Sequence, residues 1–385
     1  MESIEEKDFS KVIIRRDESS YKRCCKLKEA IVLYVQENRI QQQIMILGVM
    51  KLVKSIDIAN NGQEAVEKFI ARKYDIILMT LNLPVIDGFQ ATKTIREIEE
   101  RSEIVRTPIL LLPILTYERE HYLTSGFDNV VPSGFFQFEV LIKKMKYSLS
   151  GIIGKKIVVF TGAGISQESG IDTYRDSGGV WEKHDFMEVA HINAWYNNPS
   201  KVLDFFNIFR KKIREAEPNN AHHILAELGS ELNATIITQN VDDLHERAGS
   251  HKVIHLHGEI TKARSSIDPN LIIELRTREE IRLGKKAPDG SQLRPHLVLF
   301  GEPVDIQKAI DTVKTADIFV IIGTSLNVYP ASKLISAVKQ DTPIYLIDPN
   351  DVNSYSDRKI IKIKEKATVG TKILKDILME NHVIE

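Results

Sequence analysis

Cysteine is nearly absent from the sequence, and long apolar runs are absent altogether. Two cysteines occur in 385 residues, the neighbours Cys24 and Cys25. This number excludes a disulfide framework and a four-cysteine zinc site within one chain. No run approaches the ~20 apolar residues that span a membrane, and the longest, residues 109–115, contains Pro113. We therefore expect no membrane association.

An excess of charge of one sign is missing as well. The chain has 52 Lys and Arg against 53 Asp and Glu, which is a net charge of −1. Composition therefore does not indicate a nucleic-acid or acidic partner. The first residues, MESIEEK, lack the apolar centre of a signal peptide. We expect a soluble, cytoplasmic protein, long enough for two to three domains.

The first half of the chain has the pattern of an α/β domain. Residues 1–28 are mostly charged or polar and are expected to form a mobile arm. From Ala30 onward, short β-branched runs alternate with helical patterns in five βα units, which predicts a doubly wound five-stranded sheet over residues 29–148. The predicted strands are residues 30–35, 56–59, 75–79, 107–112 and 129–131.

A second α/β domain is predicted in residues 155–385. Small, flexible residues at 149–154 separate it from the first and read as a linker. Buried-strand patterns recur between helical stretches in the domain that follows. They lie at residues 156–160, 234–238, 318–322 and 343–347.

Two segments of the first domain carry a family resemblance. Residues 58–67 (IANNGQEAVE) and 83–92 (LPVIDGFQAT) resemble the receiver domain of two-component signalling. A receiver accepts a phosphoryl group on an Asp that ends its third strand, and an acidic pair after the first strand holds Mg²⁺. The positions that match this chemistry, with those of the switch hydroxyl and the lysine, hold Thr80, Gln36-Glu37, Pro113, and Pro132 or Ser133.

These departures predict a degenerate receiver. Thr80 cannot form the acyl phosphate of the family, and the single carboxylate of Glu37 is a weak Mg²⁺ site. The resemblance therefore implies a domain that is not phosphorylated in this way. Docking of a protein partner, dimerisation or regulation remain open as its roles.

The candidate site of the second domain begins at residues 160–171 (FTGAGISQESGI), which follow a predicted strand and lead into a predicted helix. Glycines there let the backbone approach a pyrophosphate, and a helix N-terminus supplies amide donors. Alone, this motif is weak evidence, because any tight strand-to-helix turn can produce it. Three further polar segments end other strands, and strand ends of open α/β sheets form one crevice. They are residues 238–245 (TQNVDDLH), 253–259 (VIHLHGE) and 322–331 (IGTSLNVYPA).

Taken together, residues 155–380 resemble the sirtuins, which are NAD-dependent protein-lysine deacylases. The resemblance extends to residues 294–302 (RPHLVLFGE), similar to the family's peptide-binding strand, and to residues 346–350 (LIDPN) near the adenine ribose. It implies a Rossmann-like fold with a smaller inserted subdomain, NAD as the cofactor and acylated-lysine proteins as substrates.

The resemblance also implies roles for individual residues. His257 would be the general base on a ribose hydroxyl, since a histidine titrates in the right range. Asn240 and Asp242 would hold the nicotinamide and its ribose, and Tyr174 would shield the reacting face from water. We interpret the remaining histidines, including His255, as packing or surface residues.

The residues implied to bind NAD are Gly162, Ala163, Gly164, Ser166, Tyr174, Arg175, Gln239, Asn240, Val241, Asp242, Gly323, Thr324, Ser325, Asp348, Pro349, Asn350 and Ala367. The residues implied to contact the substrate are Phe206, Phe209, Val298, Phe300, Gly301 and Glu302. No metal ligand is predicted, because no cysteine stands between Gly258 and Glu302, where most sirtuins carry two Cys-x-x-Cys pairs. The insert there is expected to be held by packing, as in some bacterial sirtuins that lack these cysteines.

The acyl pocket is a second departure. Sirtuins that prefer acidic acyl groups carry Tyr-x-x-Arg on the helix after the cofactor loop, and the best register places Phe206 and Phe209 there. Two phenylalanines offer neither the hydroxyl nor the guanidinium that a carboxylate needs. This predicts an apolar pocket for acetyl or longer aliphatic chains, although a shift of one residue would bring Arg210 to the second position.

The favoured hypothesis is NAD-dependent removal of acyl groups from protein lysines, which yields nicotinamide and O-acyl-ADP-ribose. One alternative uses the same site to hydrolyse NAD without a lysine substrate. Another is a non-catalytic NAD-sensing scaffold.

Overall fold

The computed structural model describes most of the chain as two compact units, one within residues 26–152 and the other from Gly154 to Asp376. The described residues are 26–114, 119–132, 138–150, 152, 154–173, 185–324, 331–350 and 358–380. The predicted arm, with Cys24 and Cys25, lies almost wholly outside them. None of the described helices has both the length and the apolar character to cross a membrane.

The first unit is a five-stranded parallel sheet with helices on both faces. Its strands are β1 Ile31–Val35, β2 Ser55–Ala59, β3 Ile76–Met79, β4 Ile109–Ile114 and β5 Asn129–Pro132. Its helices are α1 Arg39–Val49, α2 Gly62–Ala71, α3 Gly88–Arg101, α4 Arg119–Thr124 and α5 Phe138–Leu149. The strand order is β2-β1-β3-β4-β5, which is a doubly wound order.

Alternate residues of β1 explain how the helices cover this sheet. Leu33 and Val35 point into the core formed with α2 and α3, whereas Val32 and Tyr34 point into the core formed with α1 and α5. A parallel strand that is covered on both faces is apolar throughout. The same reason accounts for the fully buried IILM of β3.

Thr80 follows β3 at the position where a receiver carries its phosphoryl acceptor. It is 6% exposed, and its hydroxyl donates to the carbonyl oxygen of Val35 at 3.0 Å. Gln36 is buried as well, with its amide donating to the side chain of Gln41 at 2.5 Å. The Thr80 hydroxyl is therefore a structural group of the sheet edge. The side chains of Pro113 and Pro132, and all of Ser133, lie outside the described residues.

The second unit contains a six-stranded parallel sheet and a small antiparallel one. The strands of the large sheet, in the order β14-β13-β12-β6-β7-β8, are β6 Ile157–Thr161, β7 Thr235–Thr238, β8 Val253–His255, β12 Ile318–Ile322, β13 Ile344–Ile347 and β14 Ile360–Ile363. The strands of the small sheet, in the order β10-β9-β11, are β9 Gly258–Ser265, β10 Ile272–Glu274 and β11 Leu293–Leu297.

The helices of this unit pack around the large sheet and beneath the small one. They are α6 Phe186–Val189, α7 Ile192–Asn197, α8 Pro199–Glu215, α9 Asn220–Leu232, α10 Leu244–Arg247, α11 Gln307–Lys314, α12 Ala331–Ala337 and α13 Ala367–Glu380, of which the last begins in this unit. The chain runs from β6 outward to β7 and β8, and later fills the other side with β12, β13 and β14. The loops that follow β6 and β12 therefore leave the sheet side by side, which creates the crevice where ligands of open sheets bind.

The small sheet is the predicted inserted subdomain, and apolar packing joins it to α8. Ile260, Ala263 and Leu293 of the sheet share one core with Val202 and Ile213 of the helix. Within the described part of the chain, no group of three or more His, Cys, Asp or Glu side chains is arranged to hold a metal ion.

Local elements differ from the sequence prediction at several points. Residues 163–165 and 167–169 of the glycine motif form two short 3-10 helices, and Gly170 then turns left-handed with φ 84°. The helix predicted to follow the motif falls on residues 174–184, which lie outside the described residues. The sequence pattern predicts that the first helix runs to about residue 55, but α1 ends at Val49 and β2 begins at Ser55. The strand β14 was not predicted, since an edge strand with partly exposed residues lacks a buried-strand pattern.

Candidate functional site

Three glycines bring the loops after β6 and β12 into contact. A Cβ atom at Gly162 would lie 2.6 Å from the carbonyl oxygen of Gly323, and one at Gly164 would lie 2.6 Å from the Gly323 Cα. Gly323 itself has a φ of 60°, in the left-handed region. Any side chain at these positions would push the two loops apart.

The amides of these glycines are used within the fold. The Gly162 N–H donates to the carbonyl oxygen of Ile322 at 2.9 Å, and the Gly164 N–H donates to that of Gly323 at 3.0 Å. The motif therefore serves first to join the loops. The 3-10 turns that follow carry Ser166 into the crevice.

A buried polar network forms the floor of the site. The Ser166 hydroxyl donates to Asp242 Oδ2 at 3.0 Å and accepts from the side-chain amide of Asn240 at 3.0 Å. The other carboxylate oxygen of Asp242 accepts from the Leu244 N–H at 3.2 Å. All three side chains are at most 3% exposed. The sequence segments after β6 and β7 thus converge on one point, as predicted from the strand ends.

Burial dominates the electrostatics of Asp242. It raises the pKa of this carboxyl from 3.8 to about 6, against the opposing effect of the hydrogen bonds from Ser166 and Leu244. A carboxylate whose charge is destabilised in this way is typical of a functional site.

The network borders a small cleft whose enclosed volume is about 10 Å³, roughly the space of one water molecule. Its lining combines the polar network with apolar side chains from α8 and from the loop after β6. The lining residues are Ala163, Ser166, Ile171, Asp172, Phe209, Ile213, Asn240, Val241 and Asp242.

Gln239 connects the network to the loop after β12. Its backbone N–H donates to the carbonyl oxygen of Thr161 at 2.9 Å, and its side-chain oxygen accepts from the Thr324 hydroxyl at 3.1 Å. The predicted residues on both sides of the switch point are therefore brought together.

The predicted residues at the outer strands lie along the same edge of the sheet. Asp348 follows β13 and accepts from the Asn350 N–H at 2.9 Å, while Pro349 and Asn350 are exposed. Ala367 is the first residue of α13 and is buried. Tyr174, Arg175 and Ser325 lie outside the described residues.

His257 stands between β8 and β9, next to the loop 298–302. Its backbone oxygen accepts from the Val298 N–H at 3.0 Å. Burial lowers the pKa of its half-buried imidazole, so the ring is neutral at physiological pH. His257 is not among the described residues that line the cleft.

The loop 298–302 is hydrogen-bonded to the segment where α6 ends and α7 begins. Phe300 donates its N–H to the Ala190 carbonyl and accepts from the Ile192 N–H, both at 2.9 Å. Phe300 is 41% exposed and packs edge-to-face on Phe186. Gly301 takes a φ of 88°, which favours glycine.

Glu302 holds this loop rather than facing a ligand. Its carboxylate accepts from the guanidinium of Arg294 at 2.9 Å, from Arg264 at 3.1 Å and from the Leu299 N–H at 2.7 Å. The Arg294 guanidinium also lies over the Trp195 ring, 5.2 Å from its centroid. The predicted substrate residue is thus occupied by the protein itself, and the sequence had no signal for its two arginine partners.

The helix α8 presents its phenylalanines inward. Phe206 is 6% and Phe209 is 8% exposed, and Phe209 lines the cleft. Arg210 points to the small sheet instead, where its Nε donates to the Ile260 carbonyl at 2.8 Å. Burial lowers the pKa of Arg210 to about 10, which leaves it charged at neutral pH. The register that would bring Arg210 to the cleft is not the one in the structure.

His255, interpreted from the sequence as a packing or surface residue, contacts the polar network. Its ring lies against the backbone of Asn240, with 3.0 Å between Nδ1 and the Asn240 oxygen. Its partners Asn240 and Glu246 stand on other elements, so no local sequence pattern indicates these contacts.

Comparison with known proteins matches each unit to a family. A model described as the Sir2 family matches residues 162–330, and one described as the response regulator receiver domain matches residues 32–121. An NAD-dependent protein deacylase of Bacteroides thetaiotaomicron is 50% identical over 230 residues, which cover 58% of this chain and 98% of the relative. One of Helicobacter pylori is 50% identical over 227 residues, 59% of this chain and 98% of the relative.

Solved structures agree with these relatives. A Sir2 homologue in complex with NAD has a TM-score of 0.53 and 34% identity, and the match covers 61% of this chain and 94% of that one. A mutant Sir2 homologue in complex with ADP-ribose has a TM-score of 0.56 and 33% identity, with 63% and 98% covered.

Proposed function

Because the chain belongs to the Sir2 family, we propose that it is an NAD-dependent protein-lysine deacylase, with acylated-lysine proteins as substrates. The observation that carries this function is the buried network of Ser166, Asn240 and Asp242 in the cleft at the switch point of the sheet. A hydroxyl, an amide and a carboxylate are the groups that bind a carboxamide and ribose hydroxyls. The donor set of the cleft therefore fits the nicotinamide end of NAD.

Different residues of the chain have different roles in this reaction. NAD, when bound, supplies the ribose that receives the acyl group as nicotinamide leaves. Asn240 and Asp242 orient the nicotinamide riboside, and the glycine-joined loops with Gln239 and Thr324 support the phosphates and adenosine. The neutral imidazole of His257 accepts a proton from a ribose hydroxyl, for which a lowered pKa is suited. Val298, Phe300 and Gly301 bind the peptide, and Glu302 holds their loop.

We also propose an acyl pocket without charge selection. Phe209 lines the cleft, and Phe205 stacks on it with 6.1 Å between ring centroids. Arg210 of α8 is turned to the small sheet, and Lys212 of the same helix is paired with the carboxylate of Asp172 at 2.9 Å. An aromatic wall favours acetyl or longer aliphatic chains over succinyl.

Residues 29–148 would form a receiver-like module, joined by residues 149–154 to the deacylase domain at 155–385. A degenerate acceptor position suits a role in docking or regulation. The partner of this module would be a protein.

The experiment is nicotinamide release from NAD with and without an acetyl-lysine peptide. We expect release that depends on the peptide and falls at least about a hundredfold in His257→Ala, since general-base catalysis contributes 10²–10⁴. His251→Ala, at an exposed histidine, is the matched control. Butyryl and succinyl peptides in the same assay test the pocket, with succinyl expected to be the poorest substrate.

Release without any peptide would instead favour the NAD hydrolase. Absence of release in every arm would favour the scaffold.

A further inference from the structure

The ring of His255 is placed between two hydrogen-bond acceptors. Its Nδ1 lies 3.0 Å from the backbone oxygen of Asn240, and its Nε2 lies 2.9 Å from a carboxylate oxygen of Glu246. A neutral imidazole carries one N–H and can donate to one of them only, whereas the imidazolium donates to both. The geometry therefore selects the charged ring.

The ring of His255 makes one of the three hydrogen bonds that hold Asn240 in place among the described residues. Its N–H donates to the Thr238 hydroxyl at 3.0 Å, and its side-chain amide donates to Ser166 at 3.0 Å. The backbone oxygen accepts from His255. The ring thus fixes the peptide plane of the residue whose side chain reaches the floor of the cleft.

We infer that His255, as an imidazolium bridging the Asn240 backbone and Glu246, is a positioning residue for the cofactor cleft, and that loss of its proton loosens the cleft. This inference rests on the proposed function, in which Asn240 binds the nicotinamide end of NAD. His255 does not contact the reacting atoms. Its action on the cofactor passes through Asn240.

The groups around the ring come from α10, from the segment before it and from β9. Glu246 and His245 stand on α10, Asp242 precedes that helix, and Glu259 lies at the start of β9. His245 is neutral, because complete burial lowers its pKa far below the ordinary value. Glu259 is paired with Lys262 at 2.9 Å, so Glu246 is the anion in contact with His255.

These surroundings favour the charged form in sum. Burial alone would lower the pKa of His255, but the hydrogen bond and the charge of Glu246 outweigh it and raise that pKa above the ordinary value. The proton of His255 is therefore held to a higher pH than in a free histidine and is lost as the pH rises further. The carboxyl of Asp242, whose pKa is raised to about 6, titrates at the acid end of the pH range instead.

The test is the affinity for ADP-ribose, measured by calorimetry on the full chain from pH 5.5 to 9.5. In the wild type, affinity is expected to fall about three- to tenfold as the ring loses its proton, which is the worth of one net hydrogen bond. Glu246→Gln keeps an acceptor and removes the charge that raises the pKa of His255, so the fall should move to lower pH. Glu246 is 39% exposed in its side chain, which makes this variant tolerable for folding.

The matched control is Glu217→Gln. It also removes a negative charge near α10, from an 83% exposed side chain that pairs with Arg247 and does not contact His255. Its alkaline fall should coincide with that of the wild type. His255→Gln should show lower affinity without an alkaline fall, and the ring proton of His255 can be titrated by NMR without any ligand.

Coinciding pH profiles of the wild type and Glu246→Gln would overturn the inference, as would a His255 ring that is neutral at pH 6 by NMR. Absence of ADP-ribose binding by the wild type at every pH would overturn the proposed function first, and the inference with it. These outcomes are distinguishable, because the first two occur in a protein that binds ADP-ribose or folds with a titratable ring.

Discussion

The carboxyl group of Asp242 lines the cleft and also affects the stability of the fold. Asp242 is 3% exposed, and its charge is opposed by burial more than it is favoured by its hydrogen bonds. The native state therefore binds the Asp242 proton more tightly than the unfolded chain does. As pH rises from 3.8 through about 6, this group contributes a loss of stability that is complete above that range.

Asp242→Asn is expected to remove this loss. At pH 8 the variant should gain up to about 3 kcal/mol in free energy of unfolding over the wild type, the equivalent of the raised pKa, and it should gain nothing at pH 3.5. Urea unfolding at the two pH values measures the difference, and ADP-ribose affinity should fall in the same variant. A gain of equal size at both pH values would show that charge burial is not its source.

At the scale of elements, the contact between the loops after β6 and β12 decides where the crevice opens. Gly164 and Gly323 approach so closely that a Cβ on the first would lie 2.6 Å from the backbone of the second. Gly170 ends the same segment with no atom within 4 Å of its Cβ position. A substitution at Gly164 therefore tests the contact between the two loops, whereas a substitution at Gly170 tests only the backbone conformation.

Gly164→Ala should weaken ADP-ribose binding at least about tenfold, because overpacking of 1–3 kcal/mol must be relieved by moving the loops. Gly170→Ala is the matched control, since its φ of 84° strains the backbone and lowers stability without displacing a neighbour. Calorimetry with ADP-ribose and thermal unfolding of both variants measure the two effects. Equal loss of affinity in both variants would contradict the assigned role of the loop contact.

At the scale of the whole molecule, two parts that match different families share one chain. The Sir2 family model matches residues 162–330, within the second part, and the deacylases similar to this chain are covered over almost their full length. The first part matches the receiver family but holds Thr80, a buried hydroxyl bonded to Val35, where an acceptor would stand. Deacylation is therefore expected to reside in the second part.

Residues 154–385 expressed alone should retain nicotinamide release that depends on an acetyl-lysine peptide, because the cleft and all its described lining residues belong to this part. The same fragment with His257→Ala is the control. A fragment that binds ADP-ribose but releases no nicotinamide would mean that the receiver-like part is needed for catalysis.

The sequence by itself determined the two fold types, the position of each polar strand end and the missing acceptor at Thr80. Strand periodicity, turn residues and short motifs are local properties, so they are legible without a structure. The membership in the Sir2 family, expected from motifs spread between residues 160 and 350, was confirmed.

Only the tertiary structure decided how the site residues are held. The two arginines on Glu302, the contact of Arg210 with the small sheet and the acceptors on both sides of His255 all involve partners on other elements. Burial likewise raises the pKa of Asp242, and no sequence pattern near it indicates this. Hydrogen-bond partners and desolvation depend on which remote segments the fold brings together, and for that reason they could not be predicted from local sequence.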